Sequence, residues 1–298
     1  MKKIYIPLFS RFVSLESQLN HNIKKINNKK QKVILDYCVE FDNDTQKVFN
    51  KLIETINKYP NNTIAIKLSA LGLNTYNENI TDTYCNKIIE EAIKNNVKVL
   101  IDAETNELHK SINAISDNLL TKYNAKNTHV YKTYQMYRRD SYNHLISDIN
   151  MYNTNKINLG IKMVRGAYYN QEKNMGHLYN SITDTHNNYN NTIDKLFLQY
   201  SNNKININNI IFATHNKNSI QLVKKNININ NIYNNVKLTP NDINFASLLG
   251  MSENISSNLS NNNYNVYKYV PFGPISKTLP YLTRRLYENY DILKYINS

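Results

Sequence analysis

Leu159-Gly160-Ile161-Lys162-Met163-Val164-Arg165-Gly166-Ala167 is a short apolar run that breaks into a charged Gly-Ala turn. Such a run, bounded by turn residues, reads as a strand buried on both faces, as the strands of a parallel sheet are. Seven other segments read the same way, at 33–38, 63–69, 97–103, 129–136, 210–214, 243–248 and 265–270. Helical periods fall between them, at 45–58, 82–95, 106–123, 141–152, 183–200 and 219–225, with a last one at 277–290. In the first of these, Val48, Leu52, Ile53 and Ile56 share one face. Eight strands alternating with helices predict a distorted (β/α)8 barrel of the TIM type rather than an open sheet. Without a linker or internal repeat, residues 1–298 read as a single barrel domain, with 1–32 as an N-terminal extension and 33–290 as the barrel.

Composition sets the limits of this reading. The chain has 298 residues, 41% hydrophobic and 20% charged, which excludes a wholly disordered protein. No apolar run reaches the roughly 18 residues of a membrane span, and Met1–Pro7 is too short in apolar residues for a signal peptide. Cys38 and Cys85 form neither a disulfide framework nor a metal-binding spacing, so no metal is expected. These features predict an intracellular enzyme, soluble or peripherally membrane-bound. Asn, Lys, Ile and Tyr are abundant while Gly and Pro number six each and Trp is absent, the signature of A/T-rich coding. The net charge of +13 is then either lysine accumulation on a solvated surface or the footprint of an anionic membrane or nucleic acid.

Under such codon pressure, the surviving Gly, Ala, Pro and Arg residues mark positions that resist replacement. They cluster at Ala70 and Gly72, Ala103, Gly160 to Ala167, Ala213, Gly250, and from Pro271 to Arg285. Barrel chemistry sits at the C-terminal ends of the strands. Lys67, Asp102, Gln135, Lys162, Thr214-His215-Asn216 and Tyr269 all fall there, a make-up suited to a large polar ligand. Each alone has an ordinary reading: a solvated lysine, a helix cap at Asp102, a hydrogen-bonded histidine. In the last helical period Tyr281, Arg284, Arg285 and Glu288 follow i, i+3, i+4, i+7 and share a face. Two adjacent guanidiniums suit a bound carboxylate or phosphate. An exposed basic helix with Glu288 paired to Arg284 is the alternative.

The motifs Ile66-Lys67-Leu68-Ser69-Ala70-Leu71-Gly72, Ile101-Asp102-Ala103-Glu104, Thr133-Tyr134-Gln135, Lys162-Met163-Val164-Arg165-Gly166-Ala167-Tyr168-Tyr169 and Ala213-Thr214-His215-Asn216 resemble the motif series of the proline dehydrogenase family. So do Leu248-Leu249-Gly250-Met251, Tyr267-Lys268-Tyr269-Val270-Pro271-Phe272-Gly273-Pro274 and Tyr281-Leu282-Thr283-Arg284-Arg285-Leu286-Tyr287-Glu288-Asn289. The resemblance implies a barrel that holds FAD, with the last helix over its mouth. It implies oxidation of L-proline to Δ1-pyrroline-5-carboxylate by hydride transfer to flavin N5, with electrons passed to a quinone, as the first step of proline catabolism. It places the substrate carboxylate on Arg284, Arg285 and Lys67, and the proline ring against Tyr269, Leu248 and Tyr281, with Asp102, Lys162 and Tyr269 at the reacting centre. It places the flavin on Ala103, Gln135, Lys162, Val164, Arg165, Gly166, Ala167, Tyr169, Thr214, His215, Asn216 and Glu288. Ala246 and Ser247 stand where relatives often carry Gln, which leaves one polar contact open. The length implies a chain without a fused aldehyde dehydrogenase domain; the resemblance implies a mitochondrial location if the source is a eukaryote and is compatible with peripheral contact with an anionic membrane, and no specific nucleic-acid partner is expected. A relative acting on 4-hydroxyproline and a non-catalytic basic barrel that binds nucleic acid are the alternatives. No residue of the sequence stands out as the base for the substrate amine.

Overall fold

A computed structural model describes residues 11–38, 44–74, 79–233, 237–276 and 278. Eight strands form the barrel: β2 (Lys32–Tyr37), β3 (Thr63–Ile66), β4 (Lys98–Ile101), β5 (Val130–Gln135), β6 (Gly160–Val164), β7 (Ile210–Ala213), β8 (Asn244–Leu248) and β9 (Asn265–Gly273). Each pairs in parallel with the next, and β9 returns to β2 with Leu35 opposite Val270, so the sheet closes. Where β8 has ended, β9 carries one more pairing, to the two-residue strand β1 (Ser14–Leu15). The expectation of a (β/α)8 barrel is met, each predicted strand lying within a few residues of an observed one.

The β-branched runs decide this because a strand inside a ring of helices is buried on both sides. Inward side chains Ile34, Ala65, Leu100, Tyr131, Ile211, Ala246, Tyr267 and Tyr269 make the interior core. Outward residues such as Val33, Leu35, Ile64, Val99, Ile161 and Phe212 pack on the helices in a second, larger cluster. The helices are α1 (Leu19–Asn27), α2 (Thr45–Lys58), α3 (Asn79–Lys94), α4 (His109–Tyr123), α5 (Ser141–Thr154), the single turn α6 (Tyr169–Glu172), α7 (Ile182–Ser201), α8 (Lys217–Tyr233) and α9 (Glu253–Asn261).

Several elements depart from the sequence reading. Helices α1 and α9 were not expected, because Asn, Ser and Lys dilute their apolar stripes to Leu19, Ile23 and Ile26 in one and to Leu259 in the other. The helical period was expected to end at 225, yet α8 runs on through an Asn-rich stretch to Tyr233. There Asn226 and Asn230 are buried, and their amides donate to the carbonyls of Leu222 and Asn226, one turn back. Asn226 also donates to Asp194 of α7 at 2.8 Å. A paired amide tolerates the interior that an unpaired one does not. The last helical period, 277–290, lies outside the described residues except for Thr278.

Gly160 shows how tightly the interior is filled. A Cβ there would collide with the Val130 carbonyl oxygen and stand 2.9 Å from the Tyr131 ring, which fills the barrel beside it. Neither neighbour is a flexible chain end. Gly160→Ala is therefore expected to destabilise the protein by about 1–3 kcal/mol, read as a lower urea midpoint. A shift below about 0.5 kcal/mol would show that the barrel wall yields more easily than this packing implies.

Candidate active site

Four strands deliver one charged cluster to the C-terminal mouth. Asp102 follows β4, Lys67 follows β3, Lys162 points inward from β6 and Tyr269 from β9. All four are at most 8% exposed, which for two lysines and an aspartate requires partners. Lys162 Nζ donates to Asp102 Oδ1 at 2.5 Å, and the Tyr269 hydroxyl donates to Asp102 Oδ2. Lys67 Nζ donates to Asp36, an inward residue of β2 that the sequence reading did not single out, and stands 3.8 Å from Asp102 Oδ2. Two carboxylates thus balance two ammoniums below the mouth. The Lys162 ammonium also lies 4.9 Å from the Tyr269 ring centroid, a cation–π contact that fixes the ring from one side. Burial alone would raise the Asp102 carboxyl, but the Lys162 and Lys67 ammoniums hold it below the usual carboxylate range.

The second group of expected residues lines the β6–β8 side. Arg165 is clamped in one plane: Nε donates to His186 Nδ1 at 2.8 Å, Nη1 to Thr214 Oγ1 at 2.7 Å and Nη2 to Ser219 Oγ at 2.8 Å. Its guanidinium carbon lies 4.2 Å from the Tyr189 ring centroid. Next to it Gly166 has φ +140°, and a Cβ there would run into the Tyr137 ring, so this turn accepts only glycine. Burial and the Arg165 charge push the His215 imidazole down to about 4, so it is neutral at pH 7.

The remaining expected residues take varied places. Gln135 is buried and donates to the Glu104 carbonyl at 3.2 Å, while Glu104 accepts from the Ser69 backbone N–H at 3.0 Å. Ala103, Val164 and Ala167 are half-buried at the ends of β4 and β6. Asn216 accepts from the Ser219 N–H at 3.1 Å and so caps the start of α8. Tyr169 donates its hydroxyl to the Asn180 carbonyl. Leu248, opposite Tyr269 in register, is 38% exposed at the mouth, an open position for an apolar side chain. Tyr281, Arg284, Arg285 and Glu288 lie outside the described residues.

Sequence reasoning missed Asp36, His186, Ser219 and Tyr189. Asp36 carries the signal that marked Asp102, an acid on the inward side of an apolar strand. The other three are chosen by how α7 and α8 pack against β6, and no spacing announces that.

Removing one partner from the buried cluster should be costly. Lys162→Met leaves Asp102 with the Tyr269 phenol and, as its one cation among the described contacts, the more distant Lys67, and a loss of about 3 kcal/mol is expected in urea unfolding at pH 7. A loss under about 1 kcal/mol would show that Asp102 does not depend on Lys162.

His215 gives a pH test. Its folded pKa is depressed below the unfolded value of about 6.5, so the unfolded chain binds the proton first as pH falls. Its stabilisation is complete above about pH 6.5 and is lost as pH falls toward about 4. His215→Asn should flatten the decline in the urea midpoint over that window; equal slopes in both proteins would remove His215 as the cause.

The family model described as proline dehydrogenase matches residues 19–298. Proline dehydrogenase 1, mitochondrial, of Dictyostelium discoideum is 35% identical over 214 residues, covering 68% of this chain and 36% of that protein. The Drosophila melanogaster protein of the same name is 30% identical, covering 72% and 32%. Hydroxyproline dehydrogenase of Xenopus laevis is 28% identical, covering 71% and 46%. The chain thus spans roughly a third to a half of the length of these relatives. Among solved structures, proline utilization A of Bdellovibrio bacteriovorus, inactivated by N-propargylglycine, superposes with a TM-score of 0.83 at 18% identity, over 95% of this chain and 33% of that one. A Bradyrhizobium japonicum proline utilization A mutant gives 0.77 at 20% identity, over 96% and 31%.

Proposed function

The chain belongs to the proline dehydrogenase family, and on that premise we propose that it oxidises L-proline to Δ1-pyrroline-5-carboxylate with FAD as cofactor and a membrane quinone as the final electron acceptor. The observation that carries this reading is the Lys162–Asp102–Tyr269 contact set at the mouth of the barrel, the end where barrels of this type place their chemistry.

The residues present suit a flavin nucleotide. Lys162, Arg165, Gln135 and Thr214 bring cations and polar groups to one side of the mouth, a donor set fitted to an anionic diphosphate and a ring edge rich in oxygen and nitrogen. The Gly166 turn keeps the backbone close to that side without a side chain in the way. FAD, when bound, supplies the two-electron acceptor. Around it the chain's own groups orient and stabilise. Asp102, fixed by Lys162, sets the Tyr269 phenol, so that a flat ring stands at the mouth to pack on the substrate. Leu248 adds apolar surface opposite Tyr269. Lys67, already neutralised by Asp36, gives one direct contact to the substrate carboxylate, and Arg284 and Arg285 give the rest. Holding the substrate at three cations makes the bond-breaking step effectively unimolecular. Lys162 keeps a buried positive charge where negative charge gathers during electron transfer.

Purified protein should carry a yellow flavin spectrum that L-proline bleaches. Arg284→Met and Arg285→Met should each raise KM for proline about thirty-fold or more with flavin content little changed, the cost of losing a desolvated charged hydrogen bond. An unchanged KM in both variants would overturn the carboxylate assignment.

A second reading, oxidation of 4-hydroxyproline, is favoured by the likeness to the Xenopus laevis enzyme. Tyr281 separates the two. A phenol beside the ring leaves no room for an added hydroxyl, so wild type should have the higher kcat/KM for L-proline, and Tyr281→Ser should narrow the difference. Equal efficiency of wild type on both substrates would favour the second reading.

A further inference from the structure

Away from the mouth cluster, the N-terminal ends of α4 and α5 bring His109, Asp140 and His144 together, with one ligand atom of each lying within 4.8 Å of the others. His109 opens α4, whereas Asp140 immediately precedes α5 and His144 lies one turn on, so the last two share a face by i, i+4 spacing. The two imidazoles lie nearly parallel, at 18° with centroids 5.8 Å apart. We propose that this trio is a transition-metal site for Zn2+ or a similar borderline cation, with water completing the coordination.

The donor set is the right one for that class: two imidazoles and a carboxylate are the ligands Zn2+ takes when one position is left to solvent. Around a tetrahedral zinc with bonds of about 2.0–2.1 Å, ligand atoms stand roughly 3.4 Å apart. Side-chain rotation of about an ångström closes the trio from its present spacing, and His144 is exposed and able to turn. The surroundings resemble the outer support of a metal centre. The Asn113 side-chain amide lies 3.1 Å from His109 Nε2 and orients the ring. Arg138 donates from Nε to Asp140 Oδ1 at 3.0 Å and from Nη2 to Oδ2 at 2.9 Å. Each carboxylate oxygen has two lone-pair positions, so this pairing directs the group without exhausting it. The Arg138 charge is offset by Asp140, and Lys132 nearby is taken up by Asp117 and Asp148 at 2.7 and 2.9 Å. Sequence spacing gave no warning, because the ligands come from the starts of two separate helices.

A bound ion would join the starts of α4 and α5. Arg138 Nη1 also holds Asn106 of the β4–α4 loop at 2.8 Å, and the Asn106 N–H donates to the buried Glu172 at 2.7 Å.

The test is direct binding to the 298-residue chain, independent of any catalytic assay. Titration calorimetry with Zn2+ and the visible spectrum with Co2+ should show one site per chain and a raised Tm. His144→Gln and His109→Gln should each weaken Zn2+ binding about tenfold or more. Because His144 is exposed, His144→Gln should keep the metal-free Tm of wild type, so that its loss of affinity is not a loss of fold. Absence of Zn2+ binding by the wild type at low millimolar metal overturns the proposal, and so does Zn2+ affinity unchanged in the double variant.

Discussion

Much at the mouth of this barrel depends on Asp102 remaining charged while buried. An isolated carboxylate in that position would take up a proton, since desolvation penalises the charged form. Here the ammonium from β6 and the more distant one from β3 reverse the balance, and a phenol from β9 takes the other oxygen. The consequence is mechanical as well as electrostatic. One side chain joins four strands that are not all neighbours in the sheet, so the inward ends of β3, β4, β6 and β9 are held in mutual position. Removing any partner exposes the others to the cost of unpaired burial, and this restricts what each position accepts.

The alternation of apolar runs made the barrel legible, but the strand ends were less so. The segment 63–69 was expected to remain extended; instead Ser69–Leu71 is a turn of 3-10 helix, and the strand stops at Ile66. The turn puts Ser69 against Glu104 and leaves Lys67 at the mouth. Strand propensity does not see that bond, which joins residues 35 apart. Lys67, Asp102, Lys162 and Tyr269 were legible because each is polar at the inward end of an apolar run. Asp36 had the same credentials. His186 and Ser219 did not: their roles exist only once α7 and α8 lie beside β6 and present acceptors to Arg165.

Asparagine is a poor helix former, yet this chain places it in helices repeatedly. Asn86, Asn95, Asn155, Asn226, Asn230 and Asn262 donate to the backbone carbonyl four residues earlier, within a helix or at its C-terminal end. Asn124 goes further and stands in for a strand. Its amide donates to the Val130 and Asn158 carbonyls, and its oxygen accepts from the His129 and Val130 N–H groups. An abundance that looks compositional is therefore used locally, by groups that satisfy the backbone around them.

The closure of the sheet by β9 has a consequence for how the molecule comes into being. Residues on β2 wait for partners more than 230 positions downstream, so the contact order is high and the ring cannot shut until the last strand is available. During vectorial synthesis β2 remains an open, apolar edge, the condition in which nascent chains pair wrongly with one another. The same late arrival brings Tyr269 to Asp102. Until then two lysines and two aspartates meet without the phenol, which makes completion of the charged cluster one of the last events of folding. A defect in β9 should thus appear first as poor recovery of folded protein from cells, ahead of any change in the chemistry of what does fold.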